Sequence, residues 1–153
     1  MAAQEMLQLV SFELGGELFA LPITKIQEII RLTHIVKIPK SYDFVEGVIN
    51  LRGKIIPVID LRKRFSMEQV AYNAQSRIIV VELKTVTVGL QVDAVCEVLR
   101  IDRSYFEAAP TFISAVDQKF IQGIVKQGEK MLIVLDVDKL FSQEETQVLM
   151  HVK

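Results

Sequence analysis

Residues 47–65 read GVINLRGKIIPVIDLRKRF, and residues 123–141 read GIVKQGEKMLIVLDVDKLF. Laid together without a gap, at an offset of 76, the two are identical at Gly47/Gly123, Lys54/Lys130, Val58/Val134, Asp60/Asp136, Lys63/Lys139 and Phe65/Phe141. Most of the other pairs set apolar against apolar. A second match precedes each stretch: residues 20–31 (ALPITKIQEIIR) align with residues 89–100 (GLQVDAVCEVLR) at an offset of 69, and Leu21/Leu90, Glu28/Glu97 and Arg31/Arg100 are identical. Two matches in the same order mean two similar units, each below the size at which a core is comfortably self-sufficient. The expected organisation is one domain over residues 1–153, with approximate subdomains 1–75 and 76–153 whose terminal segments can exchange.

Valine and isoleucine together number 36 of 153 residues. Branching at Cβ restricts rotamers in a helix and packs well on a pleated surface, so the chain should be mainly β. Residues 7–14 alternate, with Val10, Phe12 and Leu14 on one face, and Gly15-Gly16-Glu17 signals a hairpin turn into a returning strand at 18–22. A short turn at 24–26 should lead into a strand from Gln27 to about Leu32. Ser41 can cap a helical turn through Val45. Residues 47–51 and 54–60 form a hairpin turned by Arg52-Gly53, and 61–65 one helical turn. The polar stretch 67–76 lacks apolar periodicity and reads as the linker between halves. Strands follow at 77–83, 85–92 and 95–101, then an irregular stretch at 108–117, then the second hairpin at 119–126 and 130–136. Residues 137–141 read as another helical turn. Ser142 and Glu145 form a capping box for a helix over 142–152, with Val148, Leu149 and Val152 as its apolar stripe. About five short strands per half, broken by regular turn signals, argue for a small barrel or sandwich.

The composition excludes several functions. The net charge is −1 and no dense basic patch occurs, so nucleic-acid binding has no electrostatic support. The longest apolar runs, 55–59 and 131–135, fall far short of the ~20 residues of a membrane span, and the N-terminal MAAQEML lacks a secretory pattern. One cysteine, Cys96, excludes an internal disulfide and reads as a small buried hydrophobe. His34 and His151 lie far apart, and one cysteine with two histidines cannot build a common structural zinc site. No nucleophile elbow, phosphate loop or dinucleotide fingerprint is present, so no catalytic residue, metal or cofactor is expected. Asp60 and Asp136, each at a strand end before a helical turn, read as helix caps.

Two features point to protein partners. Arg52 sits at the tip of Asn50-Leu51-Arg52-Gly53, where a tight hairpin exposes it, and the second copy has Gly128 there. The fold therefore does not require arginine at this position. Ile55, Pro57 and Ile59 alternate with Ile56 and Val58, so both faces of this strand are apolar. One face belongs to the core; the other meets the sister subdomain or a partner. Pro57 lacks an N–H donor, which favours an edge strand or a bulge.

The stretch GVINLRGKIIPVIDLRKRF closely resembles the signature of the CheW family of chemotaxis adaptors, and FALPITKIQEIIR resembles that family's first block. VGLQVDAVCEV and FIQGIVKQGEKMLIVLDVDKLF resemble its later blocks, so the likeness runs from about Leu7 to Phe141 in family order. The same domain occurs in the kinase CheA and in CheV, but the length here implies a stand-alone member. The resemblance implies two pseudo-symmetric five-stranded SH3-like β-barrels with short helices and a C-terminal helix. It implies a non-enzymatic, cytoplasmic adaptor, recruited to receptor arrays, that links chemoreceptor tips to the regulatory domain of CheA. An adaptor of a different receptor–kinase pathway, in motility or development, is the alternative. By matching motifs, the resemblance implies receptor binding through Ile26, Glu28, Asn50, Leu51, Arg52 and Gly53. For the kinase it points to Ile55, Pro57, Ile59 and Arg62, with no nucleic acid and no direct membrane insertion.

Overall fold

The structure is a computed structural model and describes residues 6–39, 41–108 and 116–151. The elements run β1 (Met6–Leu14), β2 (Glu17–Pro22), β3 (Ile26–Arg31), β4 (Val45–Leu51), β5 (Lys54–Asp60) and α1 (Leu61–Arg64), then β6 (Arg77–Glu82), β7 (Thr87–Val92), β8 (Ala94–Asp102), β9 (Phe106–Glu107), β10 (Ile121–Gln127), β11 (Lys130–Leu135) and α2 (Gln143–Met150). Among the described residues no helix is long and apolar enough to cross a membrane. One sheet has the order β3-β6-β7-β5-β4, the other β8-β1-β2-β11-β10-β9. The chain is thus mainly β, in two SH3-like barrels of five principal strands, with the two-residue β9 added to the second.

The sequence repeat is a structural repeat. β5 runs parallel to β7 with Val58 opposite Gly89, and β11 runs parallel to β2 with Val134 opposite Ala20. These are the partners that the offsets of 76 and 69 place in equivalent positions. Both long hairpins carry a register shift at the same place, after Val45 and after Ile121. The amide of Asp60 donates to the carbonyl of Phe44 at 2.8 Å, and that of Asp136 to Phe120 at 2.9 Å. A cut between residues 75 and 76 nevertheless does not follow the sheets. β1 and β2 lie between β8 and β11, so the N-terminal hairpin joins the C-terminal barrel. In return, β6 and β7 lie between β3 and β5 of the other.

One core serves both barrels. Phe12, Phe19, Ile59, Leu61 and Phe65 pack in the same buried cluster as Ile79, Leu90, Phe120, Ile133 and Leu149. Smaller clusters line the far side of each sheet, one of them made of Ile49, Ile56, Val58, Ile78 and Val80. Burial of this apolar surface is what stabilises the arrangement, at about 25 cal/mol per Å².

Several local expectations change in the folded chain. Residues 41–45 form no helix; Val45 N–H closes a turn on Tyr42 O at 3.0 Å. Asp60 caps α1, accepting from the amides of Arg62 (2.9 Å) and Lys63 (3.4 Å). Asp136 caps nothing with its side chain, because the tighter 3₁₀ turn that follows is closed by its own backbone carbonyl, which Lys139 N–H reaches at 3.0 Å. The capping box of Ser142 and Glu145 is present in full. In α2, Leu149 is buried whereas Val148 is exposed, and Val152 lies outside the described residues. So does most of the irregular stretch 108–117. Cys96 is exposed on β8 rather than buried, because β8 ends its sheet and turns that side chain away from the core.

Candidate functional site

The tip of the β4–β5 hairpin is a two-residue turn, with Leu51 paired to Lys54. Such turns match the strand twist when both central residues have positive φ. Arg52 has φ 50° and Gly53 φ 88°. Asn50 holds the turn, its Oδ1 accepting from Gly53 N–H at 2.8 Å. A left-handed conformation costs a non-glycine residue roughly 1–2 kcal/mol. The equivalent turn of the β10–β11 hairpin uses Gly128 at φ 60° in that place. Arginine is therefore kept at a position where glycine would be easier, which argues that its side chain is used.

Arg52 meets Glu28 of β3. Its Nη1 donates to Oε1 at 3.1 Å and its Nη2 to Oε2, a bidentate pair. β3 and β4 stand at opposite ends of the strand order, so the pair fastens the barrel across its closure. The Arg52 side chain is 69% exposed and that of Glu28 24%. Two of the five guanidinium N–H donors point at Glu28, which leaves donors for a partner's carboxylate or carbonyl. The hydrogen bonds from Arg52 hold the Glu28 carboxyl below its ordinary range against partial desolvation, and Glu28 holds Arg52 above its own. The sign is that of a depressed acid: the pair is complete above the ordinary glutamate range and is lost as pH falls through the lowered value. In a carboxyl-carbon NMR titration, Glu28 should therefore titrate below an unpaired glutamate and return to the ordinary range in Arg52→Ala. A Glu28 that already titrates normally in the parent would show the pair to be absent in solution.

The structure brings Glu28, Asn50, Arg52 and Gly53 together. Leu51 is half-buried against the cluster of Ile49, Ile56 and Val58, and Ile26 is half-buried against the main core. Both side chains are packed partly inward. Next to Glu28, Ile29 is 38% exposed, an apolar group that reading the sequence did not single out. No sequence signal marked it: the repeat pairs it with Val98, apolar as well, and only the fold shows both to be exposed.

The surface read from β5 changes more. Ile55 is 45% exposed, beside the tip and paired with Asn50. Pro57 is buried, and Ile59 is 0% exposed in the main core. β5 is not an edge strand: β7 covers one side and β4 the other, while its two faces pack on the main core and the outer cluster. Pro57 is tolerated because pairing with β7 begins only at Val58. Arg62 is buried too. Its Nε and Nη2 bind the Asp93 carboxylate at 2.9 and 2.5 Å, and its Nη1 donates to Glu68 O at 2.7 Å. Asp93 in turn accepts from Gly15 N–H at 2.9 Å, so Arg62 is a structural tie between segments. Of the four residues, only Ile55 offers surface to a partner.

Among the described residues, no group of three or more His, Cys, Asp or Glu side chains is placed to hold a metal.

A family model for the CheW-like domain matches residues 8–145. The chain is 38% identical to the chemotaxis protein CheW of Klebsiella aerogenes over 88% of this chain and 81% of that protein. It is 34% identical to that of Treponema pallidum over 95% and 88%. Among solved structures it is similar to the crystal structure of the scaffolding protein TtCheW from Thermoanaerobacter tengcongensis, with a TM-score of 0.84 and 42% identity, covering 92% of this chain and 91% of that one.

Proposed function

Because the chain belongs to the CheW family of non-enzymatic chemotaxis adaptors, we propose that it couples the cytoplasmic tips of chemoreceptors to the regulatory domain of the histidine kinase CheA and places the kinase under receptor control. It works in the cytoplasm, recruited to membrane-associated receptor arrays. The observation that carries the reading is Arg52: exposed, held left-handed at a turn where its repeat partner is glycine, and oriented by Glu28. A receptor tip is a helical hairpin, which docks by apolar anchors with a polar fix. Ile29, next to Glu28 on β3 and exposed, supplies an apolar anchor, and the free edge of the Arg52 guanidinium supplies the fix. Of the four residues read for the kinase, the kinase surface takes Ile55 and leaves out Pro57, Ile59 and Arg62, which are buried.

Calorimetric titration tests both arms, one with the regulatory domain of CheA and one with a receptor-tip fragment. Saturable binding to each is expected. Arg52→Ala should weaken the receptor fragment about tenfold or more, the usual worth of a charge-assisted hydrogen bond of ~1.5–3 kcal/mol. Kinase binding should change less than about twofold. An equal fall in both would remove the receptor assignment of the tip. No kinase binding, with both partners folded, would move the chain to an adaptor for a different pathway.

A further inference from the structure

The repeat and the barrels divide the molecule differently. The first repeat ends at Phe65 and the second begins at Arg77; residues 66–76 between them contain no strand or helix. Each repeat places its first hairpin in the other's barrel. β6–β7 separates β3 from β4–β5, and β1–β2 separates β8 from β10–β11. Without β6–β7, β3 would have no strand neighbour and β4–β5 would be a lone hairpin, which is marginally stable at best. Neither repeat holds a whole barrel. Further ties cross between repeats. The Arg64 Nε donates to Leu140 O at 2.7 Å, its Nη2 pairs with Glu145 at 2.9 Å, and its guanidinium lies over the rings of Phe44, Phe120 and Phe141.

We infer that the two repeats form an interlocked pair for which the covalent link through residues 69–71 is dispensable, and that the β6–β7 hairpin of the second repeat positions Glu28 against Arg52 of the first. Glu28 sits on the strand on one side of that hairpin, and Arg52 on the β4–β5 unit on the other. The distance between them is therefore set by strands from the other half of the chain. Only the middle of the connecting segment lies clear of the body, since Met67 packs against the main core and Ser76 is buried. Gln69, Val70 and Ala71 are exposed and outside any element, whereas Glu68 and Tyr72 on either side touch the body near Arg62 and Asp60.

The test inserts a protease recognition sequence between Gln69 and Val70 of the full chain and cuts it after folding. The cut protein should elute as a one-to-one complex at the volume of the uncut chain and melt in a single transition. Its Tm should rise with protein concentration, whereas that of the uncut chain should not, because folding of the pair has become an association. Glu28 should keep its lowered titration. Fragments that part while either stays folded would overturn the inference, as would two separate melting transitions. Native-state hydrogen exchange on the unaltered chain decides the case independently of any insertion. The slowest amides of β3–β7 and those of β1, β2, β8, β10 and β11 should have protection factors within about tenfold of each other. A larger gap would make each barrel its own cooperative unit and the inference wrong.

Discussion

Replacing Ile59 by aspartate is expected to leave the chain unfolded at 25 °C. Ile59 is 0% exposed and packs in the cluster shared by both barrels. Removing a buried isoleucine side chain costs about 2–5 kcal/mol through lost burial and the cavity left behind. The new carboxylate adds a desolvation penalty of several kcal/mol unless it takes up a proton, and the guanidinium that borders the cluster, that of Arg64, is already paired with Glu145. The sum reaches the ~5–15 kcal/mol by which whole domains are stable. Ile55→Asp is the control from the same strand. Ile55 is 45% exposed, so its aspartate should shift stability by only about 0.5 kcal/mol. Far-UV circular dichroism with a urea titration reads both variants. A folded Ile59→Asp protein that had lost only partner binding would return Ile59 to the surface and refute the packing described here.

Gly47→Ala should cost about 3 kcal/mol or more, measured as a fall in the urea midpoint at constant slope. Gly47 lies at the register shift of the β4–β5 hairpin with φ 151°. A Cβ there would stand 2.1 Å from Val36 O and 2.8 Å from Ile35 Cγ2. The chain cannot simply back away, because Val36 and Val48 exchange backbone hydrogen bonds of 2.9 and 2.8 Å at that point. The aligned Gly123 makes an informative contrast. Its added Cβ would meet Glu107 O at 3.1 Å, tight but relieved by a shift of a few tenths of an ångström. Gly123→Ala should thus cost clearly less than Gly47→Ala, although the repeat treats the two glycines as equals. Equal losses would mean that steric approach at Val36 is not what demands glycine.

Much of the site could be read from residues close together in the chain. Asn50, Arg52 and Gly53 are four-residue turn chemistry, and a tip where one repeat has arginine and the other glycine marks itself. Glu28 was legible as part of a matched block, but its bond to Arg52 was not. Their strands are brought together by closure of a barrel whose middle hairpin comes from residues 77–92. The partner of Arg62 was hidden for the same reason: Asp93 is 31 residues away. A basic run at the end of a short helix looks solvated until the segment that covers it is known.

The amino-acid sequence by itself determined the doubled architecture, the turns, the hairpins and the capping of α1 and α2. These rest on periodicity, glycine placement and side chains that bond within a few residues of themselves. Only the tertiary structure decided which barrel receives the N-terminal hairpin, that β5 is a central strand with Ile59 inside, and that Cys96 faces outward. Each of those depends on which strand lies alongside which. An apolar pattern states that a face is to be covered, but the covering surface comes from elsewhere in the chain, and two equivalent repeats offer each hairpin two equivalent places to go.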